Sequence, residues 1–201
     1  MLNSKKSDKK SFAMRDRDIR AQLRLFLMAQ HEGDTDTILI DELGLCQGES
    51  RVDMAVVNGS LNGFEIKSEC DTLTRLPLQQ SIYDKTLDTV TIVAGRNHLT
   101  DVLEQVPFWW GIIEAYSSEQ GVKLKVVREA QQNQTVDPYS VLQLLWRDEA
   151  YEELEKRGFQ RGLKGKPRRF LWKKLAEILS LEEVSEIVRR CLKSRTNWRV
   201  D

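Results

Sequence analysis

Arg51-Val52-Asp53-Met54-Ala55-Val56-Val57-Asn58-Gly59-Ser60-Leu61-Asn62-Gly63-Phe64-Glu65-Ile66-Lys67 decides how the rest of the chain is read. Val52, Met54 and Val56 alternate with Asp53, Ala55 and Val57; then Phe64 and Ile66 alternate with Glu65 and Lys67. Successive side chains of a strand point to opposite faces, so period two predicts two strands. Asn58-Gly59 after a β-branched run signals a hairpin. A two-residue loop would set Asp53 against Phe64, and a half-buried sheet does not tolerate that mixture. A three-residue loop over Asn58 to Ser60, with Gly59 or Ser60 left-handed, pairs Val57 with Leu61, Met54 with Phe64 and Asp53 with Glu65. That register is the expected one. It gathers the large apolar side chains on one face and Asp53, Glu65 and Lys67 on the other.

Two neighbouring carboxylates with an amine one pleat further on suit a hard divalent cation. Mg²⁺ takes one or two carboxylates, fills its octahedron with water and lowers that water's pKa. The bland alternative is a solvent-facing strand whose lysine bridges an acid.

Asp53 with Glu65-Ile66-Lys67 resembles the motif of the PD-(D/E)XK nuclease superfamily. Gln79-Gln80-Ser81-Ile82-Tyr83 resembles the helix element of its RecB-type branch. The resemblance covers residues 37–115 best, through Asp71, Arg75 and Val106-Pro107 to Trp109-Trp110-Gly111, and is similar to one bacterial family of that superfamily. Val52 stands where the superfamily name has proline. The resemblance implies an α/β fold of restriction-endonuclease type, a mixed central sheet flanked by helices. It implies a metal-dependent phosphodiesterase acting on nucleic acid, DNA rather than RNA. Mg²⁺ or Mn²⁺ would be held by Asp53, Glu65 and the carbonyl of Ile66, and Lys67 would orient the attacking water. Glu42 would supply a further carboxylate, with Glu49 as its competitor, and Gln79 and Tyr83 would position substrate. A homodimer or a protein partner is also implied. The rival reading is a non-catalytic nucleic-acid-binding or partner-regulating module on the same fold.

Length and composition bound these readings. The chain has 201 residues, a formal net charge of zero and 40% hydrophobic residues, as expected of a globular protein. Cys46, Cys70 and Cys191 are odd in number and widely spaced, which predicts no disulfide framework and a reducing, cytoplasmic setting. With only His31 and His98 besides, a zinc cluster is not expected. No apolar run approaches a membrane span, and Met1 to Lys10 lacks the apolar stretch of a secretory signal.

In chain order, residues 1–12 read as a disordered basic tail, 13–132 as the nuclease-like core and 133–201 as a helical basic extension. Ile19, Leu23, Phe26 and Leu27 predict an amphipathic helix from Met14 to Gln30. Thr37 to Glu42 is the first strand. Pro77 opens a helix on which Gln79 and Tyr83, four apart, share a face. Arg51 and Arg75 are candidate phosphate contacts. Val90–Ala94 is the next strand, Thr100 caps a short helix, and Phe108–Tyr116 and Val122–Val127 form an edge hairpin. A helix runs from Val141 to Gly158. Residues 156–174 hold nine Lys or Arg and no Asp or Glu, with Phe159, Phe170 and Trp172 between them. Such a stretch binds phosphate backbones, and Arg168, Arg169, Lys173 and Lys174 are its candidate contacts; a solvated basic loop is the alternative. Ser180-Leu181-Glu182-Glu183 is a capping box for a last helix.

Overall fold

The computed structural model describes residues 14–195; the proposed basic tail lies outside them. Six strands form one mixed sheet in the order of the chain: β1 (Ile38–Leu45), β2 (Ser50–Val57), β3 (Leu61–Lys67), β4 (Thr89–Gly95), β5 (Gly111–Ser118) and β6 (Gly121–Arg128). β3, β4 and β5 are parallel to their neighbours in that trio, and the outer pairings are antiparallel. α1 (Asp16–Gln30) covers one face. α2 (Leu76–Thr86), α4 (Pro138–Leu142), α5 (Arg147–Lys156), α6 (Arg168–Ile178) and α7 (Leu181–Ser194) join the cluster on the other, and α3 (Leu99–Gln105) precedes β5. The architecture is the mixed α/β sheet with C-terminal helices expected from the sequence.

The hairpin adopts the expected register from Val57 opposite Leu61 to Met54 opposite Phe64, but the ladder ends there and the expected pair of Asp53 with Glu65 is not part of it. Its turn differs in detail. Neither Gly59 nor Ser60 is left-handed. Instead the Asn58 carboxamide oxygen accepts from the Ser60 N–H at 3.0 Å, and the Asn58 N–H donates to the Ser60 carbonyl at 3.1 Å. A short polar side chain that bonds two residues on can close a turn without positive φ.

The single-apolar-face expectation is also corrected. Met54, Val56 and Ile66 are buried against α1, whereas Val52, Ala55, Val57 and Leu61 are buried toward the other helices. Both faces are covered, so both are apolar. Val52 and Met54 lie on opposite faces although they are two apart. The β1–β2 ladder skips Glu42 and Asp53, and Glu42 has a φ of 54°. The alternation breaks on both strands at this point, at Glu42 between Ile40 and Leu43 on β1 and at Asp53 on β2. Gly63 lies opposite Ala55, and a Cβ there would be 2.4 Å from Leu87 Cδ1 and 3.2 Å from Val52 Cγ2, so both side chains would have to shift to admit one.

Three further boundaries move. His98, not Thr100, precedes α3. β5 begins at Gly111; Trp110 precedes it, fully buried, with its indole N–H donating to Asp84 at 3.0 Å. The helix expected from Val141 to Gly158 is two helices. Asp137 caps α4 by accepting from the Ser140 N–H at 2.8 Å, and Glu149 accepts from the Trp146 N–H at 2.6 Å to start α5 afresh. The capping box at Ser180 forms as expected, with Ser180 and Glu183 bonded to each other's backbone N–H.

α4–α7 share one apolar cluster with the sheet, in which Val57, Leu61 and Val90 occur with Val141, Leu171, Trp172 and Val188. Asn133 ties the preceding segment down. It is buried, and its amide donates to the carbonyls of Asp84 and Leu87 at 2.7 and 2.8 Å. Among the described residues no helix is long and apolar enough to cross a membrane.

Candidate functional site

The residues singled out in β2, β3 and α2 form two adjoining networks at the end of the sheet where β3 finishes. In the first, Glu65 and Lys67 share the face of β3 that meets α2. Both are buried, at 2% and 3% exposure. Lys67 Nζ donates to Glu65 Oε1 at 2.6 Å and to Gln79 Oε1 at 2.9 Å. The Gln79 amide donates to the same Glu65 oxygen at 2.5 Å. Tyr83, wholly buried, has its hydroxyl 2.6 Å from Glu65 Oε2 and 2.8 Å from the Arg51 carbonyl. The four-residue spacing of Gln79 and Tyr83 thus aims both at Glu65, because residues one helical turn apart share a face.

In the second network Arg20 of α1 is the hub. Its Nη1 donates to the Asp53 carbonyl and its Nη2 to Asp53 Oδ1, both at 2.7 Å. Nη2 also lies 2.9 Å from Glu42, and Nε 3.2 Å from Asp16. The other Asp53 oxygen accepts from the Ile66 N–H at 2.7 Å. Sequence reasoning passed over Arg20. The signal was present: Asp16 and Arg20 are four apart and Arg20 adjoins Ile19, so a charge pair borders the apolar stripe that meets the sheet.

Electrostatics links the networks. Burial raises the Glu65 carboxyl, and the Asp53 charge raises it further, against the pull of Lys67 and Tyr83. Burial likewise raises Asp53, against the Ile66 N–H and Arg20. Burial and the Glu65 charge push the Tyr83 phenol up, so it stays a proton donor. Burial alone would lower Arg20, but Asp16 and Asp53 outweigh it and raise it.

The remaining candidates are peripheral. Arg51 is exposed and 3.8 Å from Glu42; Arg75 is exposed at the start of α2. Glu49 lies between the turn Cys46–Gly48 and β2, outside both networks. The basic candidates are on α6, outside both networks as well. Arg168 stacks over the Trp172 ring at 5.2 Å and donates to Gln47 at 3.3 Å. Lys174 pairs with Glu177 at 3.4 Å. Arg169 and Lys173 are exposed and have no ion pair among the described residues. Lys156 and Arg157 are used internally, both donating to buried Glu153 at 2.7 Å.

This geometry does not fit a divalent cation as it stands. Each oxygen of Asp53 and of Glu65 already accepts from a named donor, and Ile66 offers its N–H to Asp53. Among the described residues no group of three or more Asp, Glu, His or Cys is placed to hold a metal. A cation would have to compete with Arg20 and Lys67 for these oxygens. Melting in millimolar MgCl₂ or MnCl₂ should therefore match melting in an equal ionic strength of NaCl. A rise of several degrees with either metal, abolished by Asp53→Asn, would show that displacement occurs.

The family model described as Bacteriophage P4 protein cII matches residues 9–199. The chain belongs to that family. Protein cII of Enterobacteria phage P4 is 29% identical over 161 residues, which cover 80% of this chain and 60% of the phage protein. The chain therefore spans less than two thirds of the length of that curated relative. No solved structure matches this chain. Membership of the cII family overturns the resemblance to the PD-(D/E)XK superfamily. The nuclease function, the metal-dependent phosphodiesterase activity and the descriptions nuclease, hydrolase and magnesium-dependent fall with it, since both matches carry the name cII. In this cII-family chain the motif residues serve structural partners, Glu65 with Lys67, Gln79 and Tyr83, and Asp53 with Arg20 and the Ile66 N–H.

Proposed function

We propose that this cII-family protein is a non-catalytic nucleic-acid-binding module, with DNA as its first candidate ligand. The observation that carries the reading is the stretch 156–174. It holds no acid, and Arg161, Lys164, Arg169 and Lys173 are exposed without an ion pair among the described residues. Cations that the fold does not use internally are free to neutralise phosphates and release their counterions. Arg168 and Lys174 add charge at the margin while serving Trp172 and Glu177. The closed Glu65 and Asp53 networks support a structural rather than a chemical role for the motif residues. Free Cys46, Cys70 and Cys191 fit a reducing cytoplasm.

Replacing Arg161, Lys164, Arg169 and Lys173 together with glutamine tests it. Affinity for a labelled oligonucleotide should fall about tenfold or more. The slope of log K against log salt should become shallower by about 0.7 to 0.9 for each phosphate that is no longer neutralised. An unchanged affinity and slope would make this stretch a solvated surface and remove the basis for the proposal.

A further inference from the structure

α6 turns one face inward and leaves another open. Leu171, Trp172 and Leu175 are buried, whereas Phe170 is 47% exposed between Arg169 and the buried row. Tyr139, Arg169, Phe170, Lys173, Ala176 and Glu177 line an open, mainly apolar depression of about 560 Å³. Glu177, its one acid, is neutralised by Lys174. Phe159, on the loop before α6, is also 47% exposed. Each of these two rings carries an ammonium. Lys166 Nζ lies 5.3 Å from the centre of Phe170, and Lys174 Nζ lies 5.8 Å from that of Phe159. The arrangement is a half-exposed apolar ring with a cation over one face, made twice, with unpaired Arg169 and Lys173 alongside.

We infer that this surface takes single-stranded nucleic acid, its bases stacking on Phe170 and Phe159. The inference rests on the nucleic-acid reading above and names the ligand form. Phosphate neutralisation alone needs no aromatic ring at the surface. A duplex hides the faces of its bases and presents phosphate and sugar, which gain nothing from an exposed phenyl group. A single strand offers a π-face at every base and a phosphate at every step. Groups that stack bases and track the backbone together are how sequence-tolerant single-strand sites are built. The neighbouring lysines supply the backbone contact within reach of each ring and add cation–π attraction to the stack. Charge complementarity selects this occupant: the stretch carrying both rings contains nine cations and no acid.

The test is fluorescence anisotropy of a labelled oligothymidylate and of a mixed-sequence duplex of equal length, each at two ionic strengths. The wild type should bind the single strand about tenfold more tightly than the duplex at equal salt. Phe159→Leu with Phe170→Leu keeps apolar bulk and removes the flat faces. Both sites are half-exposed, so the melting temperature serves as the folding control. This variant should lose about tenfold or more in single-strand affinity with its salt slope and duplex affinity unchanged. The arginine and lysine replacements above should instead flatten the slope for both ligands. Equal affinity for the two forms, together with no loss in the leucine variant, overturns the single-strand inference and leaves nucleic-acid binding standing. No binding of either form by the wild type overturns the nucleic-acid reading itself. Capture of an acidic amphipathic peptide at this face in preference to either oligonucleotide overturns the inference in favour of a protein partner.

Discussion

Lys67→Met should lower the free energy of unfolding by about 3–5 kcal/mol at neutral pH, the scale expected when one partner of a buried ion pair is removed. Lys67 and Glu65 are both almost wholly buried, and Gln79 and Tyr83 complete their hydrogen bonding. Removing the amine leaves a carboxylate in low dielectric with Asp53 nearby. Glu65→Gln combined with Lys67→Met removes both charges and should recover most of the loss. A hydrophobic or neutral replacement of a whole buried pair is often tolerated, whereas half a pair is not.

The pH dependence gives a second readout. Burial raises the Glu65 carboxyl above its ordinary value of 4.5, the Asp53 charge adds to this, and Lys67 partly opposes it. A carboxyl raised by folding binds more protons folded than unfolded between the two pKa values. Its contribution to stability is therefore present below 4.5 and lost as pH rises through the folded value. Lys67→Met removes the opposing pull and widens that window upward. The deficit of the variant should be largest at about pH 8 and narrow by about pH 5, as Glu65 takes up a proton. Urea unfolding at the two pH values measures it. A deficit under about 1 kcal/mol that does not change with pH would mean that water reaches this pair freely.

Much of this arrangement was legible in the sequence, and the part that was not has a physical cause. The hairpin register followed from apolar pairs that coincide in one alignment only, and the four-residue spacing of Gln79 and Tyr83 put them on one face. Face assignment failed at Val52 because the ladder is interrupted at Glu42 and Asp53, where Glu42 is left-handed. Glutamate carries no signal for that conformation, which L residues seldom adopt. The second apolar face was unreadable locally, since besides α2 it is covered by α4 to α7, which follow β3 by more than 70 residues. The break between α4 and α5 turns on one bond, from the Trp146 N–H to Glu149, in a segment whose apolar spacing continues through it. The motif itself was the most misleading signal. Asp53, Glu65 and Lys67 do converge, but pattern does not report whether the oxygens face water or other side chains. Burial of Lys67 and the arrival of Arg20 from 33 residues upstream decide that.

Arg20→Met should destabilise the protein by about 2–4 kcal/mol, and Arg20→Lys by nearly as much. The guanidinium reaches the Asp53 carbonyl, the Asp53 carboxylate, Glu42 and Asp16 from three nitrogens in a fixed plane. An ammonium is a single point and cannot span that set, so retaining the charge does not retain the bridge. The side chains of Arg20 and Asp53 are 23% and 19% exposed, which admits some screening and makes the expected loss smaller than that for Lys67. Here too acidification should narrow the deficit. Burial already raises Asp53 against Arg20, so without Arg20 its folded pKa climbs further above the ordinary 3.8 and it neutralises sooner as pH falls. Asp53→Asn in the Arg20→Met background should recover part of the loss, because the uncompensated charge is then gone. If Arg20→Lys is as stable as the wild type, charge alone suffices and the forked geometry is incidental. If Arg20→Lys fails while Arg20→Met with Asp53→Asn recovers, the forked guanidinium is needed to satisfy Asp53; if neither recovers, Arg20 is the piece that locks α1 onto the break between β1 and β2.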